Sequence, residues 1–93
     1  MEEYVMENVT LIKWINANII KRKSINYNID TSHIRLAFET DTNVYISNDY
    51  VNDIMLQLGY SAAGFANDPY LHFNVSSQSP ALIKYRNEVL NRH

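Results

Sequence analysis

Histidines and carboxylates are where chemistry would first be sought in this chain. The histidines are His33, His72 and His93, on three separate segments. No His-x-x-x-His pair exists, the spacing that puts two imidazoles on one side of a helix for zinc. Cysteine is absent, which removes disulfides, thiolate metal sites and a cysteine nucleophile. The closest carboxylate pairs are Glu39 with Asp41 and Asp49 with Asp53. The second pair is i, i+4 on the polar side of an amphipathic stretch, where carboxylates stay solvated and ionised. A general acid needs a raised pKa, and burial is what raises it. There is no Gly-x-Ser-x-Gly elbow. Two glycines are too few for a phosphate-cradling or dinucleotide loop as usually written. These residues predict no enzyme: no catalytic group, no metal and no cofactor.

The remaining charged feature is Lys21-Arg22-Lys23. It reads as the solvated basic end of a helix. Overall charge gives no pull toward nucleic acid or an anionic membrane, because the net charge is −2 and the pI about 5.8. No apolar run is long enough to span a bilayer. The acidic start, Met1-Glu2-Glu3, is unlike a secretory signal, so a cytoplasmic protein is expected. With 93 residues, 46% hydrophobic and 19% charged, residues 1–93 read as a single globular domain.

The best-specified element among those that must position any site is a central helix after Ser47. Ser47 is the expected N-cap and Asp49 complements the dipole in the first turn. Val51, Ile54, Met55 and Leu58 form one apolar face, and Gly59 supplies the left-handed stop. Upstream, a first helix is predicted over about Glu2 to Lys21. At about 100° per residue, Val5, Val9, Ile12, Asn16, Ile19 and Ile20 share one side. Trp14 points nearly opposite, flanked by Leu11 and Tyr4. Either neighbouring elements cover both sides, or Trp14, Leu11 and Tyr4 form a contact surface, since tryptophan anchors interfaces. We take them as candidate partner-binding residues, with Trp14 as a core residue the competing reading.

Ile25, Tyr27 and Ile29 alternate with polar residues, which permits a short edge strand. Asp30 or Thr31 then caps a helix to about Asp41, with Ile34, Ala37 and Phe38 inward. Val44-Tyr45-Ile46 is β-like, and its expected partner is the alternating segment Leu71 to Val75. The stretch between Gly59 and Tyr70, rich in small residues and ending in Asp-Pro, is a loop. Ser79 caps a last helix with Pro80 at its first position, and Leu82, Ile83, Tyr85 and Val89 pack inward. The expected fold is mainly α: a small four-helix domain, a minimal two-stranded sheet and a helix-turn-helix-like centre.

That centre raises the alternative of a DNA-binding transcriptional regulator. The exposed face of the central helix would be Asn48, Asp49, Asn52, Asp53 and Gln57. The amides suit base edges, but the aspartates would meet phosphates with no basic residue on the helix to offset them. The connection from Asp41 to Ile46 is also longer than the usual turn and lacks its glycine. Asp49, Asn52 and Asp53 therefore join the candidate partner-binding residues.

Thr31 to Phe38, the Tyr45-Ile46-Ser47-Asn48 cap, Met55 to Gly59-Tyr60, Tyr70 to Ser76 and Ser79-Pro80 together resemble small, uncharacterised proteins of phages and prophages. The resemblance lies roughly over residues 31–80. It implies an accessory protein that binds and inhibits or redirects a host protein, with host defence systems among the targets. The expected partner is thus a host protein, with a second copy of the chain possible; duplex DNA belongs to the alternative alone, and no membrane is involved.

Overall fold

The computed structural model describes residues 2–65 and 67–90, with the side chains of residues 2–8 and of Leu90 excepted. Among the described residues the chain forms four α-helices and a two-stranded antiparallel sheet. The helices are α1 (Glu2–Asn18), α2 (Thr31–Thr42), α3 (Asn48–Gln57) and α4 (Pro80–Tyr85). A wider, π-type turn over Arg86–Leu90 continues α4. The strands are β1 (Ala62–Ala63) and β2 (His72–Phe73). This is the mainly α domain with a minimal sheet that the sequence predicts.

Local capping chemistry sets the two central helices. The Asp30 carboxylate accepts from the Ser32 N–H, and the His33 imidazole takes the Asp30 N–H in return, so the start of α2 is held reciprocally. Asn43 closes α2 at φ 59° and donates its N–H to Glu39 O. The Ser47 hydroxyl accepts from the Tyr50 N–H at 3.1 Å to open α3. Gly59, at φ 89°, ends it. As expected, Val51, Ile54 and Met55 are buried from α3, and Ile34, Ala37 and Phe38 from α2. Helix α2 packs against both α3 and α4, and α1 reaches α3.

Several expectations are corrected. Helix α1 stops at Asn18, short of Lys21. Its inward residues are Leu11, Trp14 and Ile15, whereas Val9 and Ile20 are 44% and 48% exposed and Asn16 is exposed. Both sides of the helix carry apolar residues, and the side with Trp14 and Leu11 contributes the larger rings and branches to the core. The Val5 and Tyr4 side chains lie outside the described residues.

Pairing of the sheet is also different. Residues 44–46 form no strand; β2 pairs instead with β1, Ala62 opposite Phe73 and Ala63 opposite His72. On its other side, residues 71–76 are tied to the connector after α1. Ser76 N–H donates to Ile20 O, Arg22 N–H to Asn74 O, Asn26 N–H to Phe73 O and Thr31 N–H to Leu71 O. Isolated bridges join Lys21 to Val75 and Asp30 to His72. The connector is therefore not a regular strand, and asparagine side chains supply what a ladder would. Asn74 donates to Arg22 O and accepts from Ser61 N–H, bracing both neighbours, and Asn26 donates to Val75 O and the Ser77 hydroxyl. Asn26, Asn52 and Asn74 are buried, and among the described residues no buried side-chain polar atom lacks a partner. Ser79 precedes α4, but its hydroxyl does not cap the helix. It accepts from the Ile20 N–H and donates to Ser76 O, fixing the exit of α1.

Candidate functional site

The outer side of α3 and the loop after β1 enclose an open cleft of about 590 Å³. Asp49, Asn52, Asp53 and Leu56 line it from the helix, with Gly64, Phe65, Asp68 and Leu71 opposite. A second hollow of about 330 Å³ lies beyond the loop, between Tyr27, Phe65, Asp68, Tyr70 and His72. Gly64, Phe65 and Asp68 border both, so the loop is the ridge between them. Phe65 is 84% exposed. A phenylalanine left in water forgoes about 1.5–3 kcal/mol of burial free energy. Of the seven large hydrophobic residues exposed among the described ones, four (Tyr27, Leu56, Phe65 and Tyr70) line these hollows. More than half of this apolar exposure is therefore gathered at the two hollows, with Val9, Ile20 and Tyr45 elsewhere.

Internal bonds position this ridge. Asn52 is buried: its amide donates to Pro69 O at 2.9 Å, and its carbonyl accepts from the Thr31 hydroxyl at 2.6 Å. Thr31 in turn accepts from the Leu71 N–H. The start of α2, the middle of α3 and the end of the loop are joined at this point. Within the loop, Asp68 N–H donates to Phe65 O, and the Asp68 carboxylate accepts from the Tyr70 N–H. The ion pairs among the described residues are Glu39–Arg35 and Asp41–Lys84, with the Asp30–His33 contact an ion pair only when that ring is protonated. None involves Asp49, Asp53 or Asp68, so the region presents carboxylates beside exposed aromatics.

The sequence-predicted residues divide. Asp49 and Asp53 line the first cleft and are exposed. Asn52 also borders it, but its polar atoms are turned to Thr31 and Pro69, which corrects its assignment to the exposed face. Trp14 and Leu11 are corrected too. Trp14 is 7% exposed, its ring meets Phe38 edge-on with centroids 5.3 Å apart, and its Nε1–H donates to Asp41 Oδ2 at 2.9 Å. Leu11 is fully buried. The Tyr4 side chain lies outside the described residues. Tyr27, Phe65, Asp68 and Tyr70 were missed by sequence reasoning. The available signal was a phenylalanine among alanine, glycine and asparagine, with no periodic partner to bury it.

Several other titratable groups are occupied by the fold. Glu39 accepts from Arg35 Nη1 and from the Ile46 N–H. Asp41 accepts from Trp14 and from Lys84 Nζ at 2.7 Å, and these two donors, Lys84 first, hold its carboxyl below the usual value against the effect of burial. At Asp30, burial pushes the carboxyl up, but the Ser32 hydroxyl, the neighbouring His33 ring and the Ser32 N–H bring it below the usual value. His33 belongs to the α2 cap, His72 packs on Tyr27, and His93 lies outside the described residues. Among the described residues, no three histidines or carboxylates converge to hold a metal ion.

Two residues of the basic run, Lys21 and Arg22, are also committed. Lys21 Nζ lies 4.8 Å from the Tyr60 ring centroid and 3.4 Å from Leu58 O, at the C-terminal end of α3 where a cation suits the dipole. Arg22 folds onto Ser24 and Ile25 O. Its place is thus beside α3 and β2, not at the end of α1. No helix among the described residues is long and apolar enough to cross a membrane. No family model, curated protein or solved structure matches the chain.

Proposed function

We propose that this is a non-catalytic accessory protein of a phage or mobile element that binds a host protein in the host cytoplasm and inhibits or redirects it. The acidic, aromatic region around Phe65 is the contact surface in this reading. The observation that carries it is the gathering of Tyr27, Leu56, Phe65 and Tyr70 beside Asp49, Asp53 and Asp68. Interfaces draw their affinity from a few large aromatic anchors, and complementary charge at the rim selects the partner. The acidic rim suits a basic partner surface. The phage setting rests on the resemblance over residues 31–80.

Duplex reading through α3 has less support. The Asn48 carbonyl accepts from Arg35 Nε at 2.7 Å and Asn52 is buried, so two of the three amides suited to base edges are already bonded within the fold. Quantitative affinity capture from host lysate tests the proposal. Wild-type protein should enrich a defined host protein, and Phe65→Ser combined with Asp53→Lys should abolish that enrichment while leaving the thermal midpoint in place. Equal capture by the folded double variant would overturn it.

A further inference from the structure

We propose that the hollow between Tyr27, Phe65, Tyr70 and His72 is an arginine-binding site, which takes the guanidinium of a partner polypeptide with Asp68 as its counter-charge. Three separate segments bring these rings together: the connector after α1, the loop after β1, and β2 with the residue two before it. The hollow measures about 330 Å³, close to the lower end of ligand sites, which begin at roughly 300 Å³. Tyr27 and His72 brace each other, with centroids 5.4 Å apart and planes inclined by 51°. Tyr27, Phe65 and Tyr70 are 68%, 84% and 42% exposed, so ring surface is open to a ligand.

Aromatic faces carry negative potential and attract cations. A planar guanidinium stacks on such faces and is more weakly hydrated than an ammonium, so it loses less on leaving water. Asp68 adds the anionic acceptor. Its carboxylate is anchored by the Tyr70 N–H at 2.9 Å, and it takes part in none of the ion pairs among the described residues. A carboxylate retains acceptor capacity after one such bond and can take a guanidinium N–H in a charge-assisted bond. Stacking rings and a fixed carboxylate on one hollow select arginine over an uncharged side chain.

This inference rests on the proposed function for the source of the arginine, but the site can be tested alone. The full chain, labelled with ¹⁵N, would be titrated at about pH 8, where free histidine is neutral, with Ac-Gly-Arg-Gly-amide. The citrulline and trimethyllysine versions of the peptide serve as comparisons. Expected are saturable amide shifts centred on Gly64, Asp68, Tyr70 and His72, with affinity at least about tenfold weaker for citrulline. Asp68→Asn and Tyr27→Ala should each weaken arginine binding several-fold while amides elsewhere keep their positions, which separates loss of the site from loss of the fold. Absence of saturable shifts, equal binding of citrulline, or tighter binding of trimethyllysine would overturn the assignment. Failure of the arginine peptide while Phe65→Ser combined with Asp53→Lys still abolishes host capture would sink this inference and leave the proposed function standing. Arginine binding with host capture unchanged in that folded double variant would do the reverse.

Discussion

Asp41 receives the Trp14 indole N–H and the Lys84 ammonium on its two oxygens, and so ties α1 and α4 to the end of α2. Its carboxyl is held below the ordinary 3.8, so the unfolded chain takes up this proton first as pH falls. The stabilisation is therefore complete above about pH 3.8 and disappears as pH drops toward the folded value. Thermal melts should show Asp41→Asn less stable than wild type at neutral pH, with the gap closing below about pH 4. Parallel curves down to the acid limb would show that Asp41 contributes no ionic stabilisation. Trp14 itself is a core residue: Trp14→Ala should cost about 3–5 kcal/mol, and its emission in the wild-type monomer should be blue-shifted and shielded from quenchers. Asn52→Ala should cost about 1–3 kcal/mol, because it strips a partner from Pro69 O and from the Thr31 hydroxyl. Urea unfolding measures it, and a change within about 0.5 kcal/mol would mean that those groups find other partners.

Helix α3 is bounded by local chemistry at both ends. Removing the Ser47 hydroxyl in Ser47→Ala should lower stability by about 1 kcal/mol. At the other end Gly59 sits at φ 89°, and a Cβ built there would lie 3.4 Å from Lys21 Nζ, an ordinary contact. The cost of Gly59→Val is thus backbone strain and not collision, about 1–3 kcal/mol. Gly59→Asn should lose less, because asparagine tolerates left-handed backbone. Thermal midpoints for the two variants check this; equal losses would point to the Lys21 contact as the cause.

At the scale of the molecule, the distribution of charge and aromatic surface sets what the protein can meet. The exposed side of α3 offers Asp49 and Asp53, and the neighbouring loop adds Asp68. Lys21 and Arg22, by contrast, make their bonds within the fold. Tight binding to duplex DNA near physiological salt is not expected, since phosphate contacts by basic side chains supply most of such affinity. A gel-shift titration checks it, and a sequence-specific, salt-sensitive complex would revive the regulator reading, with Gln57 as the amide of that face left free to read bases.

Local signals in the sequence specify the elements they bound. Asp30, Ser47 and Gly59 act through bonds and dihedrals within a few residues, so α2 and α3 were legible, as was their buried face. The mainly α class with one minimal sheet followed from the same periodicities. Tertiary structure alone decided which side of α1 faces inward, because two apolar sides compete and the outcome depends on Phe38 and Asp41 being present to receive Trp14. It also decided strand pairing: Ala62–Ala63 carries no strand pattern, and backbone pairing there is set by Asn74 bonding to Ser61 and Arg22 across long sequence separations. The same holds for the site. Asp49 and Asp53 could be read from helix period, but Tyr27 is far in sequence from Phe65 and Tyr70, and it meets them only where the tertiary fold brings the connector beside the loop that Asn52 and Thr31 pin against α3.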